Sequence, residues 1–201
     1  MAELVLASGN AGKLREFQQL LGPGWRIRLQ SEFGLAPIEE TGSTFLANAL
    51  LKARHVVRAT GLPALADDSG LEVDALGGAP GVYSARYAGP GGDDETNNRK
   101  LLAALADIPA DRRTARFRCL LVWLTPDEHR PPLIAEGTWE GRILTAPRGT
   151  GGFGYDPLFL DLVSGRSAAE LDPDSKNRSS HRGQALRTLR SLLAARSLNH
   201  I

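Results

Sequence analysis

The sequence predicts an α/β fold, a mixed sheet flanked by helices. Three observations carry that expectation. Short apolar runs alternate with stretches of helical periodicity, two long β-rich runs follow each other late in the chain, and a closing helix has its own apolar stripe. Ligands of such sheets gather beyond the strand ends, where the turns collect.

The first strand is the run Leu4 to Ala7, which ends at Ser8-Gly9-Asn10. Leu14, Phe17, Leu20 and Leu21 then recur at helical spacing until Gly22-Pro23-Gly24 stops them. Arg26 to Gln30 alternates and reads as a second strand, and Thr44 to Thr60 reads as a long helix capped by Ser43 or Thr44 and ended by Gly61 and Pro63. Pro63 to Ala66 and Leu71 to Leu76 are expected as two short strands, with Asp67-Asp68-Ser69-Gly70 as the tight connection between them. Asp93 or Asp94 caps a helix through Leu101, Leu102 and Leu105 that Pro109 terminates. Ala115 to Thr125 and Leu133 to Leu144 are rich in β-formers and predict a long hairpin, followed by a short strand from Leu158 to Leu160. The last helix begins near Ser180 and buries Ala185, Leu186, Leu189, Leu192 and Leu193, leaving Arg187, Arg190 and Arg196 toward solvent.

Length and composition set bounds. A chain of 201 residues, 42% apolar, buries a core without staples and is expected to form one two-lobed domain over residues 1–201. Cys119 is the single cysteine and sits in an apolar run, which excludes a disulfide framework and points to a reducing compartment. Met1-Ala2-Glu3-Leu4 offers no basic leader, and no uncharged apolar stretch approaches the roughly 18 residues of a membrane span. The expectation is a cytoplasmic protein without a membrane partner. A net charge of +1 argues against a nucleic-acid partner. Its distribution is uneven: Lys176, Arg178, Arg182, Arg187, Arg190 and Arg196 lie in an acid-free C-terminal stretch, whereas Glu39, Glu40, Asp67, Asp68, Glu72 and Asp74 crowd an earlier one. Acids suit a cation and bases suit phosphates.

Four segments offer chemistry. Ser8-Gly9-Asn10-Ala11-Gly12-Lys13 opens the first helix, where backbone N–H groups and the helix dipole favour an anion. It is not a Walker loop, because Ala7 holds the first glycine position and Leu14, which follows Lys13, has no ligand for magnesium. The acids Glu39-Glu40 and Asp67-Asp68 offer hard oxygens to Mg²⁺ from two separate places. Gly149 to Pro157 is the densest glycine stretch and carries Phe153 and Tyr155, and a ring stacked on a base contributes about 1 to 3 kcal/mol. His181 and Arg182 sit at a helix N-terminus, where the dipole disfavours cations, with Lys176 one turn earlier. Taken alone, each segment also fits an ordinary turn, loop or solvated pair. His55, His129 and His200 have no zinc-ligand spacing, and neither Cys119 nor any serine has a histidine at a nucleophile's spacing.

Five stretches in order, LASGNAGKLREF, EETGSTFLANALLKA, ALADDSGLEVDALGGAPGVYSARYAG, GTGGFGYDPLF and SHRGQAL, resemble the inosine triphosphate pyrophosphatase (Ham1-like) family over Leu6 to Leu186. The resemblance implies an elongated mixed sheet flanked by helices, an active site in a cleft between two lobes, a Mg²⁺ requirement and a homodimer. It also implies hydrolysis of ITP, dITP or XTP to the monophosphate and pyrophosphate, clearing them from the nucleotide pool. Carried over by position, Ser8, Gly9, Asn10, Ala11, Gly12 and Lys13 bind the triphosphate together with Lys52. Glu40 and Asp68 bind the metal, Asp68 accepts the proton and Ser69 touches substrate. Phe153, Gly154, Tyr155, Asp156, Lys176, His181 and Arg182 hold the nucleoside. Ala47 stands where many members carry an acid. Two other readings differ in product or mechanism: an NTPase or phosphotransferase acting at the γ-phosphate, and a non-catalytic RNA- or nucleotide-binding protein that uses the basic C-terminal helix.

Overall fold

A computed structural model describes residues 2–198, so His200 lies outside the described residues, as does the side chain of Leu20. The strands are β1 (Ala2–Leu6), β2 (Trp25–Leu29), β3 (Ala64–Val73), β4 (Thr114–Leu124), β5 (Leu133–Ile143) and β6 (Phe159–Asp161), and the helices are α1 (Ala11–Leu21), α2 (Phe45–Thr60), α3 (Asp94–Ala104), α4 (Pro173–Ser179) and α5 (His181–Leu198). Among the described residues the strands form one mixed sheet in the order β2-β1-β3-β4-β5-β6. β1 lies parallel to β2, from Ala2 opposite Trp25 to Leu6 opposite Leu29, and parallel to β3 at Val5–Ala64 and Leu6–Leu65. Each of those parallel pairs has a helix in its connection, α1 or α2, as a parallel crossover requires. β4 and β5, expected as a hairpin, are neighbours, and β6 runs antiparallel to β5. No described helix is long and apolar enough to cross a membrane.

The helix ends follow local chemistry. Asn10 Oδ1 accepts from the N–H groups of Gly12 and Lys13 at 2.8 and 3.2 Å and starts α1, and Gly22 at φ +77° stops it. Thr44 caps α2 through the N–H of Ala47 at 3.1 Å, and left-handed Gly61 ends it. Asp93 and Thr96 cap α3 reciprocally. Asp172 accepts from the N–H of Ser175 at 2.8 Å, and with Pro173 in the first turn it starts α4, a helix that the apolar periodicity did not predict.

One expectation is corrected. Asp67 to Gly70 form no turn, because β3 runs unbroken from Ala64 to Val73 with both aspartates buried inside it. The turn-forming Asp-Asp-Ser-Gly sequence is overridden because each carboxylate meets cationic side chains.

The chain divides into two compact units. The first comprises Met1–Asp68, Cys119–Gly137 and Arg182–Ile201. Its core packs Leu4 and Leu6 of β1, Phe17 of α1, Leu65 of β3, Leu121 of β4 and Leu186 and Leu189 of α5. Trp25 and Trp123 meet edge to face, with centroids 5.0 Å apart. The second comprises Ser69–Arg118 and Thr138–His181. Its core gathers Leu71, Leu101, Leu105, Phe117, Trp139 and Phe159, with Phe117 and Phe159 centroids 4.5 Å apart. Gly141 is the small residue that lets this core close, since a Cβ there would run into the Phe159 ring and the Leu160 carbonyl.

Candidate active site

In the first unit, β1 delivers the chain to Ser8 and α1 carries it away from Asn10. Ser8 Oγ accepts from the N–H of Asn10 at 3.1 Å, so the turn is ordered by its own side chains. The N–H groups of Gly12 and Lys13 point at Asn10 Oδ1, and a phosphate seated on this helix start competes for those two donors. Ser8, Gly9, Lys13, Glu40, Lys52 and Asp67 line one cavity of about 130 Å³. The structure thus brings together most of the side chains that the sequence assigned to phosphate and metal.

Because β3 is extended, consecutive side chains point to opposite faces of the sheet. Asp67, buried, accepts from Arg182 Nε at 3.0 Å and lies 3.2 Å from Lys13 Nζ. Its other oxygen accepts from the Cys119 thiol at 3.6 Å. Arg182 in turn pairs with Glu16. Burial by itself would lower the Arg182 pKa, but Asp67 and Glu16 outweigh it and hold the guanidinium firmly charged.

Asp68 belongs to a second cluster. Lys52 Nζ donates to Glu40 Oε1 at 2.7 Å, to the Asp67 carbonyl at 2.7 Å and to Asp68 Oδ1 at 2.8 Å. Burial would lower the Lys52 pKa, yet Asp68 and Glu40 raise it, so the ammonium stays protonated. Burial pushes the Asp68 carboxyl up to about 6 against the pull of Lys52, with Glu40 adding to the rise. Asn48, fully buried, accepts from the N–H of Gly42 at 2.7 Å. Asp68 Oδ2 and Asn48 Nδ2 are buried without a hydrogen-bond partner among the described residues.

These acids fit a hard divalent cation. Two carboxylates from separate segments meet at the Lys52 ammonium, and the second Asp68 oxygen is buried and unsatisfied among the described residues. Among the described residues no group of three or more His, Cys, Asp or Glu side chains is placed to hold a metal.

In the second unit, the glycine-rich segment is pinned from within. Asp156 Oδ2 accepts from the N–H of Phe153 at 2.8 Å and from Lys176 Nζ at 2.6 Å, and that ammonium lies 5.2 Å from the Phe153 ring centroid. Gly152, at φ +74°, faces the Asp156 carboxylate, which a Cβ would strike. Phe153 is 37% exposed, whereas Tyr155 turns its ring into the core and donates its hydroxyl to the Ser84 carbonyl at 2.8 Å. Burial raises that hydroxyl well above its ordinary pKa, so Tyr155 is a structural donor. His181 is buried and stacks on Phe117 at 4.8 Å. Ser69 continues β3, half-buried. His181 and Arg182, adjacent in sequence, belong to different units.

The sequence offered Asp67 only as a metal ligand beside Asp68, not as the partner of Arg182 and Lys13, and gave Glu16 no role. The signal for Asp67 was available, since an aspartate beside Asp68 in an apolar run must find a cation of its own once the run is accepted as a strand. Glu16 gave no signal beyond its place on the first helix.

Known proteins resemble this chain over nearly its full length. The sequence model of the Ham1 family matches residues 4–192. The chain is 61% identical over 199 residues to the dITP/XTP pyrophosphatase of Xanthomonas campestris pv. campestris (strain 8004), covering 98% of this chain and 100% of that protein. It is 58% identical over 195 residues to the dITP/XTP pyrophosphatase of Thioalkalivibrio sulfidiphilus, covering 96% and 100%. Its fold superposes on a HAM1 protein from Coxiella burnetii with a TM-score of 0.89 at 50% identity, over 97% of this chain and 100% of that one. With identity and fold agreeing over nearly every residue, this chain belongs to the Ham1 family.

Proposed function

We propose that the protein hydrolyses the triphosphates of aberrant purines (ITP, dITP and XTP) to the nucleoside monophosphate and pyrophosphate, removing them from the nucleotide pool. The single observation that carries this reading is the convergence of Glu40, Asp68 and Lys52 beside the phosphate-binding turn at Ser8 and Lys13. The names of the relatives support the substrate class.

Ser8 to Lys13 seat the phosphates on the start of α1, and Lys13 and Lys52 balance their charge. Glu40 and Asp68 would hold Mg²⁺, which would supply charge neutralisation at the phosphates. A water molecule oriented by Asp68 forms a bond from its oxygen to the α-phosphorus. The bond from that phosphorus to the oxygen bridging to the β-phosphate breaks, the proton passes to Asp68 and pyrophosphate leaves. Ser69 contacts the substrate, and Phe153 stacks on the base beside Gly154, Tyr155, Asp156 and Lys176. His181 and Arg182 donate to the carbonyl at the purine 6-position, which the amine of adenosine cannot replace as an acceptor. The reading includes cytoplasmic location, expected from the single cysteine in its apolar run, and a homodimer, carried over from the resemblance.

Anion-exchange chromatography of the products from inosine triphosphate, with and without Mg²⁺, tests the reaction. Pyrophosphate and the monophosphate are expected, only with the metal. Orthophosphate would overturn the reading in favour of attack at the γ-phosphate.

A further inference from the structure

Helix α3 reaches the glycine-rich segment with two side chains, and both close on one residue. Asp94 Oδ2 accepts from the N–H of Gly154 at 2.6 Å. Asn98 Nδ2 donates to the carbonyl of the same Gly154 at 2.9 Å. The two residues are four apart in a helix, which puts them on one face a single turn from each other. Gly154 sits at φ +62° between Phe153 and Tyr155, outside any strand, so these two side chains satisfy both of its backbone polar groups.

The surroundings make that pair the principal restraint on the Gly154 peptide. Between α3 and the segment lies a cavity of about 500 Å³, bordered by Asn98 and Leu102 on one side and by Gly152, Phe153 and Pro157 on the other. Packing therefore does not press the segment onto the helix there. The bond from the Phe153 N–H to Asp156 is internal to the segment, and the Tyr155 hydroxyl anchors only the end of its own ring. Asn98 Oδ1 is buried without a hydrogen-bond partner among the described residues. An amide that leaves its oxygen unsatisfied in order to donate to Gly154 is oriented by that one contact.

We propose that Asp94 and Asn98 are positioning residues that fix the Gly154 peptide so that the Phe153 ring is already presented to a purine base when the nucleotide arrives. The proposal rests on the reading of Phe153 as the base-stacking residue. A preset loop lowers the ordering cost of binding, and so acts on affinity rather than on the chemical step.

Steady-state pyrophosphate release from inosine triphosphate by Phe153→Ala, Asp94→Ala, Asp94→Asn, Asn98→Ala and Asn98→Asp tests it, with thermal melts of each variant alongside. Asp94→Ala and Asn98→Ala are expected to raise KM about tenfold, the order of one lost hydrogen bond to a charged or preorganised group, with kcat within about twofold of the parent. Asp94→Asn keeps an oxygen acceptor and should restore a KM near the parent's. Asn98→Asp sets a carboxylate against the Gly154 carbonyl and should exceed Asn98→Ala. If Phe153→Ala raises KM while both alanine variants on α3 leave it unchanged, the positioning role is overturned and the base-stacking reading stands. If Phe153→Ala leaves KM unchanged, the base-stacking reading falls and takes this proposal with it. Equal KM for Asp94→Asn and Asp94→Ala would mean that Asp94 acts through charge alone, which also overturns the proposal.

Discussion

Asp67 and Arg182, 115 residues apart in the sequence, meet through a 3.0 Å hydrogen bond with both side chains buried. Lys13 and Glu16 complete the set, so a strand and the first turns of two helices are joined by alternating charges. The arrangement answers a question left by the sequence, namely why His181 and Arg182 stand at a helix start that disfavours cations. Arg182 is held there by two carboxylates and His181 by an aromatic face.

Replacing Asp67 by alanine leaves Arg182 and Lys13 without their shared acid in a buried place. The expected cost is about 3 to 5 kcal/mol, read as a fall in the urea midpoint. Glu16→Gln should cost less, because Glu16 is partly exposed and its replacement still accepts a hydrogen bond.

Asp68→Asn removes the proposed proton acceptor while keeping the side chain's shape. Turnover of inosine triphosphate should fall at least about a hundredfold, with KM within about threefold of the parent. Unchanged turnover would sink the assignment.

On the proposed reading, substrate choice is set at the purine 6-position. Inosine and xanthosine triphosphates should be turned over in preference to the adenosine triphosphate by about a hundredfold or more in kcat/KM, since a donor left facing the adenosine amine loses its partner. Competition assays with mixed nucleotides check this, and a preference for adenosine would end the idea.

How far the sequence led is clearest at the helix starts. Asn10, Thr44 and Asp93 act locally, through N–H groups two or three residues away, so α1, α2 and α3 were legible from composition and spacing. β3 was not. Local turn propensity at Asp67-Asp68-Ser69-Gly70 competes with partners that arrive from α1, α2 and α5, and a linear reading cannot weigh side chains that meet only after folding. α4 was missed because PDSKNRS has no apolar stripe, although Asp172-Pro173 marks its start. Ser8, Lys13, Glu40 and Lys52, which border one cavity, were each named from the sequence. Glu16 and the α3 pair were not, because their contacts reach other parts of the chain.

Acid stability offers a test in the second unit. Asp161 is buried, and burial would raise its carboxyl, yet hydrogen bonds from Ser164 and from Trp139 at 3.0 Å hold it below the ordinary 3.8. A depressed folded pKa contributes stability that is present above the unfolded value and lost as pH falls through the folded one. The parent should therefore lose melting temperature more steeply below about pH 4 than Asp161→Asn does, a difference that tryptophan fluorescence can follow. Parallel acid limbs would contradict it.

The cysteine in β4 gives the molecule a built-in gauge of its own opening. Cys119 is 1% exposed, with its sulfur turned toward Asp67, so an alkylating reagent finds it only when the surrounding strands part. The rate of thiol capture in native buffer thus reports the breathing of the first unit alone, and a nucleotide that grips Lys13 and its neighbours should slow that clock.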